Sequence, residues 1–188
     1  MRIIAGSAGG RRLRAPKGQN TRPTTDRVRE AVFSVLADRL AGARVLDAFA
    51  GSGAMGLEAL SRGAAAAVFL EKDPAAQRVI AANIQAAALP GATLYRGAAE
   101  RLLPRLKTGG AVEDFDIIFL DPPYNQGWLE KLLQIIETWR LLAPDGVLVV
   151  ETSGKNSEFA PTDRWQILKR RAYGDTEIYY CGWRTDEK

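Results

Sequence analysis

The sequence predicts an α/β protein with a mostly parallel sheet, edged by an antiparallel C-terminal hairpin and preceded by a small N-terminal β-hairpin. Short apolar runs alternate with helical stretches from residue 44 to residue 151, the signature of right-handed βαβ crossovers. The run Phe115 to Leu120 is almost wholly apolar and lacks the alternation of a water-facing strand, so it is buried on both faces. Near the end, Trp165 to Ala172 and Glu177 to Trp183 flank Tyr173, Gly174, Asp175 and Thr176, a hairpin signal.

Taken in order, Arg2 to Ala5 and Arg11 to Ala15 read as two short strands joined by Ser7, Ala8, Gly9 and Gly10. Thr24, Thr25 and Asp26 are N-cap residues ahead of Val28, Val32, Val35, Leu36 and Leu40, which predicts a helix over residues 26 to 40. Strands follow at 44 to 49, 66 to 71, 93 to 96, 115 to 120 and 147 to 151. Helices lie between them at 54 to 62, 74 to 88, 98 to 106 and 128 to 140. With the hairpin the sheet has seven strands. Residues 153 to 163 are the expected flexible loop.

Composition narrows the chemistry. A chain of 188 residues fits a single domain, 1–188. There is no run long enough to cross a bilayer and no signal-peptide core at the start, so a cytoplasmic protein without membrane association is expected. No histidine and one cysteine, Cys181, leave no zinc site, no His base and no internal disulfide. Cys181 reads as a small buried apolar residue, and Trp128, Trp139, Trp165 and Trp183 as core more than as stacking platforms.

Charge is uneven. Residues 1–30 hold eight basic side chains (Arg2, Arg11, Arg12, Arg14, Lys17, Arg22, Arg27, Arg29) against Asp26 and Glu30, or +6, which leaves −2 for the rest of a chain whose total is +4. A basic arm, residues 1–23, on a near-neutral body is the footprint of a nucleic-acid binder; a solubilising N-terminus is the competing reading.

Between the first strand and its helix stands LDAFAGSGAMG, residues 46–56. Gly51, Gly53 and Gly56 fit a Rossmann-like G-x-G-x-x-G turn, and Glu71, about 20 residues on, can accept from ribose hydroxyls. Asp47 would repel a pyrophosphate and suits a cationic ligand, which favours an adenosyl group with an amino-acid tail over a nicotinamide dinucleotide. At the end of the fourth strand, Asp121, Pro122, Pro123 and Tyr124 form a stiff corner where open α/β sheets bind ligands.

DAFAGSGAMGLEALSRGA with DPPY resembles the class I S-adenosylmethionine-dependent amino-methyltransferases. MRIIAGSAGGRRL and TRPTTDRVREAVFSVL are similar more specifically to the RsmD family, the bacterial 16S rRNA (guanine(966)-N(2))-methyltransferases. The resemblance covers essentially the whole chain. It implies S-adenosylmethionine as cofactor, bound by Asp47, Phe49, Gly51, Gly53, Glu71 and Asp73. It implies Asp121, Pro122 and Tyr124 at the target base, and Arg11, Arg12, Arg14, Lys17 and Arg22 on 16S rRNA in an assembling small subunit. Arg22, Thr24 and Arg27 would lie near the cofactor's methionine end or the RNA, and a monomer without metal is expected. One position departs: relatives often carry an acidic residue after the third strand, where this chain reads Gly97, Ala98, Ala99, so backbone groups would have to meet the adenine.

Other readings remain at this stage. They are an amino-methyltransferase for adenine or for a protein glutamine amide, a nicotinamide-binding oxidoreductase, and a non-catalytic RNA-binding assembly factor.

Overall fold

In a computed structural model describing residues 1–16, 25–122, 127–153 and 159–184, the strands are β1 (Arg44–Asp47), β2 (Ala66–Glu71), β3 (Ala92–Arg96), β4 (Phe115–Leu120), β5 (Leu142–Ser153), β6 (Trp165–Tyr173) and β7 (Thr176–Trp183). They form one sheet in the order β3-β2-β1-β4-β5-β7-β6. The first five are parallel, and β7 runs antiparallel between β5 and β6. The strand order reverses between β1 and β4, which opens a crevice at their carboxyl ends.

The helices are α1 (Asp26–Val35), α2 (Ala54–Ser61), α3 (Pro74–Ala87), α4 (Ala99–Thr108) and α5 (Trp128–Trp139). The central strands β1, β2, β4 and β5 bury apolar side chains on both sides, so two cores form. Val45, Phe69, Ile117, Phe119, Val147 and Val149 face one layer with Val32, Phe33, Leu57 and Ile80 of α1, α2 and α3. Leu46, Leu70, Ile118, Leu120, Leu148 and Val150 face the other with Leu103, Leu132, Leu133 and Ile136 of α4 and α5.

Most predicted elements stand within two residues of their expected bounds. The helix expected over 26 to 40 stops at Val35 and tightens into a 3₁₀ turn, Ala37–Arg39. Strand β5 starts five residues earlier than its apolar run, because the pairing shifts between Phe115 and Ile117 and takes in Ala143–Gly146, with Pro144 and Asp145 exposed, as a bulge. The N-terminal hairpin is reduced to one bridge, Arg2 to Arg12, with the Ile3 amide donating to the Arg11 carbonyl at 2.9 Å. Of the expected loop 153 to 163, residues 154–158 lie outside the described residues.

So short a hairpin is marginal alone, and side chains from α2 and α3 hold it. Glu58, fully buried on α2, accepts the Ile4 and Ala5 amides at 2.6 and 3.1 Å and the Arg62 Nε at 2.7 Å. Ser61 accepts the Ala8 amide at 3.0 Å and donates to the Ala5 carbonyl at 2.5 Å. Gly6 passes so near α2 that a Cβ would stand 1.8 Å from the Ser61 carbonyl oxygen. On α3, Asn83 accepts the Arg14 amide at 2.8 Å and donates to the carbonyls of Arg14 and Ser52 at 2.9 and 2.8 Å.

Arg29 belongs to this clamp rather than to the basic surface. It is fully buried, donates to the Arg2 carbonyl, pairs with Asp26 at 3.0 Å and stands 3.9 Å from Glu58. Its charge is offset by Asp26 and Glu58 beside it, and it offers no guanidinium to a ligand at the surface.

Glu58→Ala is expected to destabilise the protein by roughly 3 to 5 kcal/mol, because it strands Arg29 and two backbone amides. Urea denaturation checks this. A loss below about 1 kcal/mol would mean that Glu58 does not hold the hairpin.

Candidate active site

In-register pairing aligns Phe69 of β2, Asp47 of β1, Phe119 of β4 and Val149 of β5 across one row. Residues two positions on in a strand share its face. Glu71, Asp121 and Glu151 therefore emerge beside Asp47 on the side of the sheet covered by α1, α2 and α3. Sequence reasoning singled out Asp47, Glu71 and Asp121. It missed Glu151, whose signal was the same one that marked Asp121: a carboxylate directly after a buried apolar strand.

The turn after β1 is shaped by its glycines. Gly51 has φ of +54° and nothing but the Phe49 carbonyl oxygen, at 3.9 Å, near the position a Cβ would take. The space beside its backbone is open to a ligand. Gly53 caps α2 with φ of +76°. At Gly56 a Cβ would stand 2.3 Å from the Phe69 ring, so its role is close helix-to-strand packing.

The carboxylates are wired to this turn. Glu71 accepts the Gly51 amide at 2.9 Å and the Asp73 amide at 2.8 Å. Asp47, buried at 4% exposure, accepts the Gly56 amide at 3.1 Å. Asp73 caps α3 by accepting the Ala76 amide at 2.8 Å, while Phe49 is half-buried against the α4 and α5 core. Gly97 donates to the Glu71 carbonyl at 2.8 Å, and Ala98 caps α4 with no side-chain bond, which leaves backbone donors of the first helical turn available there.

Burial pushes Asp47 up to about 7; the Gly56 amide opposes this and the Glu71 charge adds to it. Burial also holds Asp121 well above the usual carboxylate range, with Glu151 and then Asp47 contributing repulsion. Its side chain is reachable by solvent yet surrounded by protein, as befits the floor of a cleft. Asp47, Glu71 and Asp121 make no ion pair among the described residues, and three carboxylates so placed suit a positive group.

Pro122 is buried directly after Asp121. Tyr124, Lys17, Arg22 and Thr24 lie outside the described residues. Arg12 and Arg14 are exposed on the arm, and Arg11 donates to the last-turn carbonyl of Ala87, at the C-terminus of α3. Cys181 is buried, its thiol pushed up to about 12 by burial. Among the described residues there is no group of three metal-binding side chains and no helix long and apolar enough to cross a membrane.

The chain matches the family described as "Conserved hypothetical protein 95" over residues 1–182. It belongs to the RsmD family. Among the relatives, "Ribosomal RNA small subunit methyltransferase D" of Escherichia coli (strain K12) is 36% identical over 174 residues, 93% of this chain and 85% of that protein. YlbH of Bacillus subtilis (strain 168) is 43% identical over 155 residues, 80% of this chain and 82% of that one. The solved structure of yhhF from Escherichia coli superposes with a TM-score of 0.85 at 33% identity, covering 97% of both chains. The RsmD-family architecture is the Rossmann-like class I methyltransferase fold.

The raised carboxyls give a sign. A carboxyl raised above its ordinary value keeps its proton in the native state where the unfolded chain has lost it, so unfolding free energy falls as pH rises. For Asp47 this operates from about 3.8 to about 7 and amounts to something of order 4 kcal/mol. Asp47→Asn should flatten, without abolishing, the decline of stability between these pH values, since Asp121 contributes with the same sign. Denaturant titrations at a series of pH values measure the slope, and an unaltered slope would contradict the burial of an unpaired carboxyl.

Proposed function

We propose that this RsmD-family protein transfers a methyl group from S-adenosylmethionine to the exocyclic N2 amino group of a guanine in 16S rRNA. The observation that carries the reading is the gathering of Asp47, Glu71 and Asp121 on one face of the sheet, the last two standing two residues beyond the partners of Asp47, beside an open glycine turn. The rRNA substrate is supported by the relatives named as small-subunit rRNA methyltransferases, and the charge preference fits a ligand with ammonium and sulfonium groups.

In this reading Asp47 holds the ammonium end of the cofactor, Glu71 its ribose hydroxyls, and Gly51, Gly53, Phe49 and Asp73 line it. Bound there, S-adenosylmethionine supplies a methyl group activated by its sulfonium. Asp121 and the Pro122 carbonyl accept the two hydrogens of the base amino group, which draws the nitrogen lone pair out of conjugation and aims it. Transfer to the nitrogen would leave the C–S electron pair on the departing sulfur, and the nitrogen would then have one proton to give up to a group of this chain. Asp121, held well above the usual carboxylate range by burial and kept ionised by the positive sulfonium beside it, is the adjacent acceptor. Orientation supplies up to roughly 7 to 11 kcal/mol of the barrier.

Tyr124 stacks on the target base, which must be unpaired or flipped, a contact of about 1 to 3 kcal/mol. Arg11, Arg12, Arg14, Lys17 and Arg22, in a basic extension spanning residues 1–23 of a single catalytic domain, hold the RNA backbone. The protein works as a cytoplasmic monomer on a small subunit under assembly.

Asp121→Ala should abolish methyl transfer while S-adenosylmethionine affinity stays within a few-fold of wild type; near wild-type turnover would refute the assignment. The substrate is tested by transfer of labelled methyl to unmodified small-subunit particles, naked 16S rRNA, DNA and protein, followed by nucleoside analysis. Label as N2-methylguanosine is expected, and label only in adenine, DNA or protein would sink the reading. Replacing Arg12 and Arg14 by Ala should weaken RNA binding and lower its salt dependence by about 0.7 to 0.9 per lost contact, with cofactor binding unchanged.

A further inference from the structure

The row through the proposed catalytic position continues past β5. Leu120 pairs with Val150, so Asp121 stands one step on, opposite Glu151; Glu151 pairs with Ile178 of β7, and Ile178 with Arg171 of β6. Ile178 and Tyr180 pack in the same core as Phe119 and Val149, so Arg171, and Lys169 opposite Tyr180, belong to the face that carries Asp121. Three strand spacings put Arg171 about 14 Å from Asp121.

Strand β6 is the outermost of the sheet, and its two faces treat their cations differently. Arg170 turns to the other face, where it pairs with Glu177 at 2.6 Å and lies over the Tyr179 ring at 5.4 Å. Lys169 and Arg171 have no carboxylate partner among the described residues, and Arg171 is exposed. Under them the Tyr180 hydroxyl is buried and without a hydrogen-bond partner, and Tyr173 packs at the edge of the same core.

The N-terminal arm lies on α2 and α3, over the opposite half of the sheet. The arm therefore stands on one side of the Asp121 position and β6 on the other. Two cations on the face of Asp121, Arg171 in its row and Lys169 two residues before, have no carboxylate partner among the described residues and are complementary to phosphates on the β6 side, a few nucleotides' reach away.

We propose that Lys169 and Arg171 of β6 form a second RNA-backbone site that grips the strand on the far side of the target base from the N-terminal arm. This rests on the proposed RNA methylation and extends it. The contacts are to phosphates, so they add affinity and register but no sequence preference.

The test uses the full-length protein, with Lys169→Ala and Arg171→Ala combined, and naked 16S rRNA as the probe, titrated between about 50 and 200 mM salt. The expected result is an RNA affinity lowered about tenfold or more at the low-salt end and a salt slope smaller by roughly 1.4 to 1.8, two contacts' worth. Thermal unfolding and S-adenosylmethionine binding stay as in wild type, and Arg170→Ala leaves the slope unchanged. An unaltered slope in the double variant overturns the proposal. So does a loss seen only on protein-bearing particles, which would make the patch a protein contact. Self-association of the double variant with unchanged RNA affinity would also overturn it, by showing the two cations to be guards of an open sheet edge. Methyl transfer by wild type to N2 of guanine with an unaltered slope sinks only this site, whereas failure of wild type to methylate RNA sinks the proposed function.

Discussion

Pairing in register between four parallel strands carries Phe69, Asp47, Phe119 and Val149 across one row, and the rest of the site follows from that alignment. A slip of one residue in any strand would turn its terminal carboxylate to the α4 and α5 side. The apolar side chains of both faces prevent the slip: moving Phe119 or Leu120 by one position would exchange whole rows between the two cores. Hydrophobic burial, which is nondirectional in itself, thus fixes the direction of four charged groups through the alternation of the strand.

Concentrating carboxylates in a partly dry cleft is costly, and the raised Asp47 and Asp121 carboxyls record that cost. The same arrangement gives selectivity. A group carrying positive charge relieves both desolvation and mutual repulsion, while a pyrophosphate would add to the repulsion. The turn after β1 thereby differs from a dinucleotide site despite sharing its glycine spacing, because Asp47 sits at the strand end where a phosphate would otherwise approach the helix.

The N-terminal arm is joined to the body by buried polar groups instead of sheet pairing. Glu58, Ser61 and Asn83 satisfy backbone amides and carbonyls of residues 4–14, and Asn83 also holds the Ser52 carbonyl within the glycine turn. One side chain therefore ties the segment carrying Arg12 and Arg14 to the loop beside the candidate cofactor site. Directional bonds of this kind specify a single docking position, which a two-stranded ribbon with one bridge could not specify by itself.

Local chemistry written in the chain determined much of this protein: the alternation of buried strands and amphipathic helices, the cap at Thr25, the glycine turn with Asp47, and Asp121 and Pro122 after β4. These signals need only neighbours in sequence, since period, capping and turn geometry act over a few residues. Tertiary structure decided the rest. It took Arg29 out of the basic surface by burying it beside Glu58, extended β5 through a bulge, and turned Lys169 and Arg171 to the face of Asp121 while Arg170 went to the other. Each of those outcomes depends on which strand lies beside which, and pairing between residues far apart in the chain leaves no period or spacing in the sequence from which it could be read.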